Sequence, residues 1–251
     1  MNSKHDIAHR PYPPPSSPWV MAQSWRDLLF AHWPIPVEMM RRAVPEVLPL
    51  DAFDGQAWVG VVPFRMSGVR PRLFPSVPWL SAFPELNVRT YVTLGGKPGV
   101  FFFSLEAANP VAVEIARRLF HLPYFNARMS LREADGWIHY TSSRTHRGAQ
   151  SAEFVGRYRP TAEVFQAKPG TLEHWLTERY CFYALDGRGR LLRGDVHHRA
   201  WPLQSAEAEI RRNAMLEVHG VSIHDAKPLL HFARRLDMVA WAPTRVGRAA
   251  H

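Results

Sequence analysis

Cysteine is almost missing from this chain: Cys181 is the only one in 251 residues. An internal disulfide is therefore excluded, as is any zinc site built on several thiolates. Within Arg179-Tyr180-Cys181-Phe182-Tyr183 the lone thiol reads as an apolar strand position with no activating base beside it. Lysine is scarce as well. Of 31 basic side chains only Lys4, Lys97, Lys168 and Lys227 are lysines, and the last three each precede a proline in turn-like sequence, where an amine is hydrated and protonated. Long apolar runs are absent: the longest stretch free of charged residues begins at Pro11 and holds five prolines, which no membrane helix tolerates. The first residues also lack the apolar block of a secretory signal, so a cytoplasmic location with no membrane partner is expected. Reaction signatures are missing too: no Gly-x-Ser-x-Gly elbow, no phosphate-binding loop, no Rossmann glycine fingerprint and no His-Glu-x-x-His. Thirteen histidines are present, but the adjacent His197 and His198 would point to opposite faces of a strand and cannot share one metal without a bulge. With His219 and His224 they read as structural or surface groups. No metal and no cofactor is expected.

What is there points to a folded enclosure. Hydrophobic residues make up 46% of the chain and aromatics 12%, enough for a sizeable core. The net charge of +9 invites a nucleic-acid reading. The basic pairs Arg41-Arg42, Arg117-Arg118, Arg211-Arg212 and Arg234-Arg235 are scattered, however, and most sit beside acids in helix-like patterns, which reads as solvated faces. No nucleic-acid partner is expected, and a homo-oligomer is left open. Residues 1–18 form a Pro/Ser-rich leader without periodicity, expected to be a disordered tail; residues 19–246 read as one domain.

Along that domain, Pro36 opens a short helix through Val44, and Asp54-Gly55 turns into a β-rich run over 56–64. Asn109 caps a helix from Pro110 to Leu122, with Val111, Ile115 and Leu119 on one face. Ala134-Asp135-Gly136 turns a hairpin of strands near 126–133 and 137–145, and a further strand follows near 153–159. Thr171 caps a helix to Glu178. Strands at 180–185 and 189–201, a helix from Ser205 to Val218 and a closing strand from Leu229 to Trp241 complete the set. Strands outnumber helices, and no regular βα alternation suggests a parallel sheet.

The most informative segment is Glu85-Leu86-Asn87-Val88-Arg89-Thr90-Tyr91. Strand alternation puts Asn87, Arg89, Tyr91 and Thr93 on one face. The segment returns through Gly95-Gly96-Lys97-Pro98-Gly99 into residues 100–106. A four-residue loop pairs Leu94 with Gly99 and sets Arg89 opposite Ser104 and Asn87 opposite Glu106. A five-residue loop would set Arg89 against Leu105. The first register is preferred because it brings opposite charges and hydroxyls together. A buried guanidinium must find carboxylates, carbonyls or an anionic ligand, so the polar cluster Glu85, Asn87, Arg89, Tyr91, Ser104 and Glu106 is either an anion site in a pocket or a self-paired ion network. Arg144, which follows Tyr140-Thr141-Ser142-Ser143, and Arg179 beside Tyr180 are further candidates, each an arginine next to aromatics or hydroxyls.

Several segments taken together resemble a known family: Phe30-Ala31-His32-Trp33, Leu50-Asp51-Ala52-Phe53-Asp54-Gly55, Trp58-Val59-Gly60-Val61-Val62-Pro63-Phe64, Glu85 to Val92, Phe103-Ser104-Leu105-Glu106, Leu122-Pro123-Tyr124-Phe125, Glu178-Arg179-Tyr180 and His198-Arg199-Ala200-Trp201-Pro202-Leu203. From about Trp25 to Trp241 the chain resembles the YqjF-like family, a bacterial family also labelled a domain of unknown function and related to the acetoacetate decarboxylase-like superfamily. The resemblance implies an α+β, β-rich fold: a curved, cone-like antiparallel β-barrel with helices packed outside and a pocket within. Acetoacetate decarboxylases use a lysine that forms a Schiff base with a keto acid, in a segment after a helix. The comparable place here is Leu122-Pro123-Tyr124-Phe125-Asn126-Ala127-Arg128, which has no lysine. The expectation is a pocket that binds a small anionic organic molecule through Arg89, with Asn87, Glu85, Tyr91, Ser104, Glu106, Tyr124, Arg144 and Arg179 around it. Any chemistry there would be acid–base, through Glu85 or Glu106. The other reading is a non-catalytic structural or interaction protein with a self-paired interior.

Overall fold

The computed structural model describes residues 7–77, 80–223 and 226–247. The chain runs through β1 (Met21–Ile35), α1 (Val37–Ala43), β2 (Ala57–Pro71), β3 (Phe83–Leu94), β4 (Lys97–Ala107) and α2 (Pro110–Phe120). It continues through β5 (Tyr124–Ala134), β6 (Trp137–Arg144), β7 (Glu153–Pro160), α3 (Leu172–Thr177), β8 (Cys181–Leu185), β9 (Leu191–His198), β10 (Gln204–Asn213), β11 (Leu229–Ala240) and β12 (Thr244–Arg245). Local chemistry sets the helix starts. The Asn109 side chain accepts from the backbone of Val111 and Ala112 ahead of Pro110, and the Thr171 hydroxyl accepts from His174.

Three local expectations are corrected. Residues 204–213 form the strand β10, not a helix: Ala206, Ala208 and Ile210 pack inward on alternate positions while Glu207 and Glu209 pair outward with Arg159 and Arg157. Pairing with β7 and β11 overrides the helix propensity of Ala, Glu and Arg. On α2 the inward stripe is Ala112, Val113, Ala116 and Phe120, whereas Val111, Ile115 and Leu119 face solvent. The leader is docked over its described part. Arg10 is buried, donates to the Val196 carbonyl at 2.8 Å and lies 4.4 Å over the Tyr180 ring, and the Trp241 indole donates to the Ser17 carbonyl at 2.6 Å. A guanidinium leaving water needs such acceptors, and the strand edge supplies them.

The strands close on themselves. From β4 through β3, β2, β1, β11, β10, β7, β6 and β5 the hydrogen-bonded order returns to β4, a closed barrel of nine strands. A branch through β8 and β9 rejoins β11, so β4, β3, β2, β1 and β11 belong to two enclosures, one on each face. In the nine-stranded barrel Leu29, Ala31, Val59, Val61, Leu86 and Val88 pack against Tyr140, Phe154 and Tyr158 from the opposite wall. On the other face Phe30, Val62, Phe64, Leu105 and Trp201 pack beneath α2, and Tyr91, Val100 and Phe182 pack beneath α3. Among the described residues no helix is long and apolar enough to cross a membrane.

The β3–β4 hairpin departs from the expected register for two reasons. Gly95 and Gly96 both take left-handed backbone, φ +57° and +71°, so the loop has two residues and Leu94 pairs with Lys97. A bulge at Phe103 then shifts the ladder by one. Arg89 lies opposite Phe102 and Asn87 opposite Leu105, while Ser104 and Glu106 lie opposite Val88 and Leu86. Gly99, read from sequence as part of the turn, is a strand residue. An added Cβ there would stand 2.7 Å from the Cys181 sulfur and 2.9 Å from its carbonyl oxygen. Gly99→Ala is expected to destabilise the chain by about 1–3 kcal/mol through overpacking. Gly187→Ala, with nothing within 4 Å of the new carbon, serves as the control. Equal urea midpoints for the two variants would refute the close approach of β8 to β4.

Candidate functional site

Because β3 is buried on both faces, its side chains divide between the two enclosures. Glu85, Asn87, Arg89 and Tyr91 share one face with Leu105 and Phe102, and the parallel pairing of β4 with β5 places Tyr124 there too. Ser104 and Glu106 turn into the nine-stranded barrel, where Arg144 of β6 meets them. The nine candidates thus form three groups.

The first group is closed on itself. Glu106 accepts from Arg144 through Nε at 3.0 Å and through Nη2, and the Ser104 hydroxyl donates to its other oxygen at 3.2 Å. Both charged side chains are buried, and the Arg144 guanidinium lies 4.2 Å over the Phe125 ring. Burial pushes the Glu106 carboxyl up; Arg144 and Ser104 draw it partly back. Arg144, not Arg89, is therefore the intramolecular partner of Glu106.

The second group is a carboxyl held neutral. The Tyr124 hydroxyl donates to Glu85 Oε2 at 3.0 Å, and both side chains are buried. Burial and the nearby Glu106 carboxyl push Glu85 up to about 8 against the pull of the Tyr124 hydrogen bond, so Glu85 carries its proton at neutral pH. Tyr124 belongs to the segment compared above with the lysine-bearing segment of the decarboxylases, and a phenol stands there in the absence of an amine. Lys168 and Lys227 are exposed, and Lys97 lies half-buried with its ammonium 4.9 Å over the Tyr12 ring.

The third group is cationic and under-partnered. Arg89 is buried, donates from Nη2 to the Leu176 carbonyl at 3.2 Å, and its guanidinium lies 5.1 Å from the Phe30 ring and 5.7 Å from the Tyr91 ring. Arg179, at the entry to β8, donates to Asp51 at 2.5 Å and lies 4.9 Å over Tyr91 and 4.4 Å over Trp175. Arg89 Nε, Arg179 Nη2 and the Trp58 indole N–H are buried without a hydrogen-bond partner among the described residues, as is Asn87 Oδ1. The Tyr91 hydroxyl is 2.7 Å from His32 Nε2. Burial pushes the His32 imidazole well down, and Arg89 and His231 add to that, so His32 is neutral. Of these two buried guanidiniums, Arg179 has the Asp51 carboxylate and Arg89 has no paired carboxylate among the described residues.

Sequence reasoning named Arg89, Asn87, Tyr91 and Arg179 but missed the residues that shape their surroundings. Asp51 and His32 appeared only inside segments of resemblance. Gly60 pairs with both Arg89 and His32, and a Cβ there would lie 2.9 Å from the imidazole and 3.5 Å from Arg89 Cγ. A glycine inside a strand is the signal of such a close approach. Trp175 and Leu176 come from α3, 84 and more residues beyond Tyr91 in sequence, and no local pattern foretells that cover. Of the histidines singled out from sequence, His197 stacks 5.9 Å from His9, His198 stacks 4.7 Å from Tyr180, His219 stacks 5.5 Å from Phe103, and His224 lies outside the described residues.

This doubly enclosed sheet belongs to the class of acetoacetate decarboxylase-like barrels. It superposes on the acetoacetate decarboxylase of Legionella pneumophila subsp. pneumophila str. Philadelphia 1 with TM-score 0.60, 12% identity, and 99% of this chain and 95% of that chain covered. An acetoacetate decarboxylase-like enzyme from Sphingomonas wittichii RW1 gives TM-score 0.62 at 14% identity, covering 95% and 98%. The enduracididine biosynthesis enzyme MppR complexed with pyruvate gives 0.61 at 11% identity, covering 96% and 93%. At such identities the likeness is one of fold. The chain belongs to the DUF2071 family of uncharacterized conserved proteins, which it matches over residues 22–237. It is 46% identical over 227 residues to the uncharacterized protein YqjF of Bacillus subtilis strain 168, covering 90% of this chain and 93% of that protein.

The neutral carboxyl has a measurable signature. A carboxyl raised from 4.5 to about 8 on folding stabilises the fold fully below the lower value, and that stability is lost as pH rises through the upper one. The amide of Glu85→Gln can still accept from Tyr124 and does not titrate. The variant is therefore expected to gain stability relative to the unsubstituted chain as pH rises from 5 to 9 in urea denaturation. Parallel stability profiles would show that Glu85 is ionised in the folded state.

Proposed function

We propose that the chain binds a small organic anion on the inner face of the sheet, clamped between Arg89 and Arg179. The observation that carries this reading is the charge imbalance: two buried guanidiniums, one carboxylate, and three N–H donors without partners. A buried cation without a counter-charge is costly, and a carboxylate bound between the two arginines would restore neutrality and satisfy those donors. Tyr91 and Asn87 orient the bound molecule in this reading. Four residues of strand separate Arg89 from Glu85, about 13 Å, so a small ligand at Arg89 reaches Asn87 but not Glu85. Glu106, Ser104 and Arg144 serve the barrel wall, since they satisfy one another.

The ligand is bound without Schiff-base chemistry. The segment comparable to the amine-bearing one has Tyr124, hydrogen-bonded to Glu85, and no lysine, while Lys168 and Lys227 are exposed and Lys97 is a half-buried β4 residue with its ammonium over the Tyr12 ring. Pyruvate, the molecule named with MppR, is of the class proposed and is a suitable first probe. A thermal-shift screen of small organic acids is expected to raise the melting temperature, and Arg89→Met is expected to abolish that shift with a modest stability loss. No shift with any acid, together with severe destabilisation by Arg89→Met, would mean that the arginine serves the fold alone. Borohydride treatment in the presence of pyruvate or acetoacetate is expected to leave every lysine unlabelled; a labelled lysine would overturn the exclusion.

A further inference from the structure

A recess lined by none of Arg89, Asn87, Tyr91 and Arg179 lies on the far side of Phe102, and its cause is a fork in the sheet. On its outer side β4 is partnered by β8 at Val100 and Phe101, and by β5 from Leu105 to Ala107. Between them Phe102, Phe103 and Ser104 have no strand neighbour on that side, and Phe103 is the bulged residue. Bulges of this kind commonly re-aim side chains beside binding sites. A cleft of about 710 Å³ opens there, within the size range of small-molecule sites.

The lining of the cleft has a one-sided chemistry. Phe101, Phe102, Phe103 and Phe125, all half-buried, give it an aromatic floor. Its basic side chains are Arg117, Arg147, His121 and His146, and none of the described lining residues is acidic. Arg117 also donates to the Tyr124 carbonyl at 2.7 Å, which holds the end of α2 against β5. Two buried carboxylates beside the lining are already paired: Glu106 with Arg144, whose guanidinium lies over the Phe125 ring, and Asp186, between the lining residues Leu185 and Gly187, with Arg190. An aromatic lining under basic side chains suits one kind of molecule, an amphipathic anion with an aromatic body and a carboxylate or sulfonate head.

We propose that this cleft is a binding site for such an aromatic organic anion, distinct from the Arg89 site and independent of it. The test uses the full chain and two fluorescent probes of similar shape, 1-anilinonaphthalene-8-sulfonate and the uncharged N-phenyl-1-naphthylamine. The sulfonate is expected to bind saturably. Arg147→Glu, a substitution of an exposed loop residue, is expected to weaken the sulfonate roughly three- to tenfold and to leave the uncharged probe unchanged. Ala149→Trp, which fills the cleft from the same loop, is expected to abolish both. Arg89→Met is expected to alter neither. Sulfonate affinity indifferent to Arg147→Glu, equal weakening of both probes by that variant, persistent binding in Ala149→Trp, or loss of binding in Arg89→Met would each overturn the proposal.

Discussion

The ladder between β3 and β4 is the constraint on which the remaining architecture depends. Two left-handed glycines tie the hairpin at Gly95-Gly96, and one bulge at Phe103 slips it by a residue. Because side chains alternate with a period of two, that slip decides which charged groups can meet. Above it Arg89 and Tyr91 stay on the face covered by α3. Beyond it Ser104 and Glu106 turn into the nine-stranded barrel, where β6 brings Arg144. Unbulged, the ladder would keep Phe102 across from Arg89 but set Ser104 across from Asn87 and Glu106 across from Glu85, and the charge pairing on both faces would change with it.

A sheet buried on both faces has no solvent into which a charge can turn, so each ionisable group must be neutralised, hydrogen-bonded or made uncharged. This chain uses all three solutions within one hairpin and its neighbours. Glu106 is paired with Arg144, Glu85 keeps its proton beneath Tyr124, and His32 stays neutral against Tyr91. Arg89, like Arg10 of the docked leader, has carbonyl and aromatic contacts but no paired carboxylate among the described residues. The functional reading rests on Arg89 because its Nε has no hydrogen-bond partner among the described residues and it shares the Tyr91 ring with Arg179.

The shared barrel and the divergent interior separate scaffold from chemistry. The likeness to acetoacetate decarboxylases covers nearly the whole chain at about one identical residue in eight. Backbone geometry survives such divergence because it depends on apolar alternation and turn residues, which many sequences supply. Reactive side chains are not guaranteed by it, since one substitution is enough to replace them. Binding and reaction must therefore be argued from the residues lining this interior and not from the barrel.

Much of this was legible from the sequence by itself. Asn109-Pro110 and Thr171 announced helix starts, Asp135-Gly136 announced a hairpin, alternation put Asn87, Arg89 and Tyr91 on one face, and the absence of lysine after α2 was plain. Those features depend on residues close together in the chain, where spacing and geometry are nearly the same thing. Tertiary structure decided the rest. It made a strand of the helix-favouring segment 204–213, gave Glu106 to Arg144, brought Asp51 to Arg179 and Trp175 to Tyr91, and opened the fork beside Phe103. Each of those outcomes is a contact between distant segments or a one-residue shift in a ladder. Such contacts are set by packing across the whole sheet, and local pattern carries no record of them.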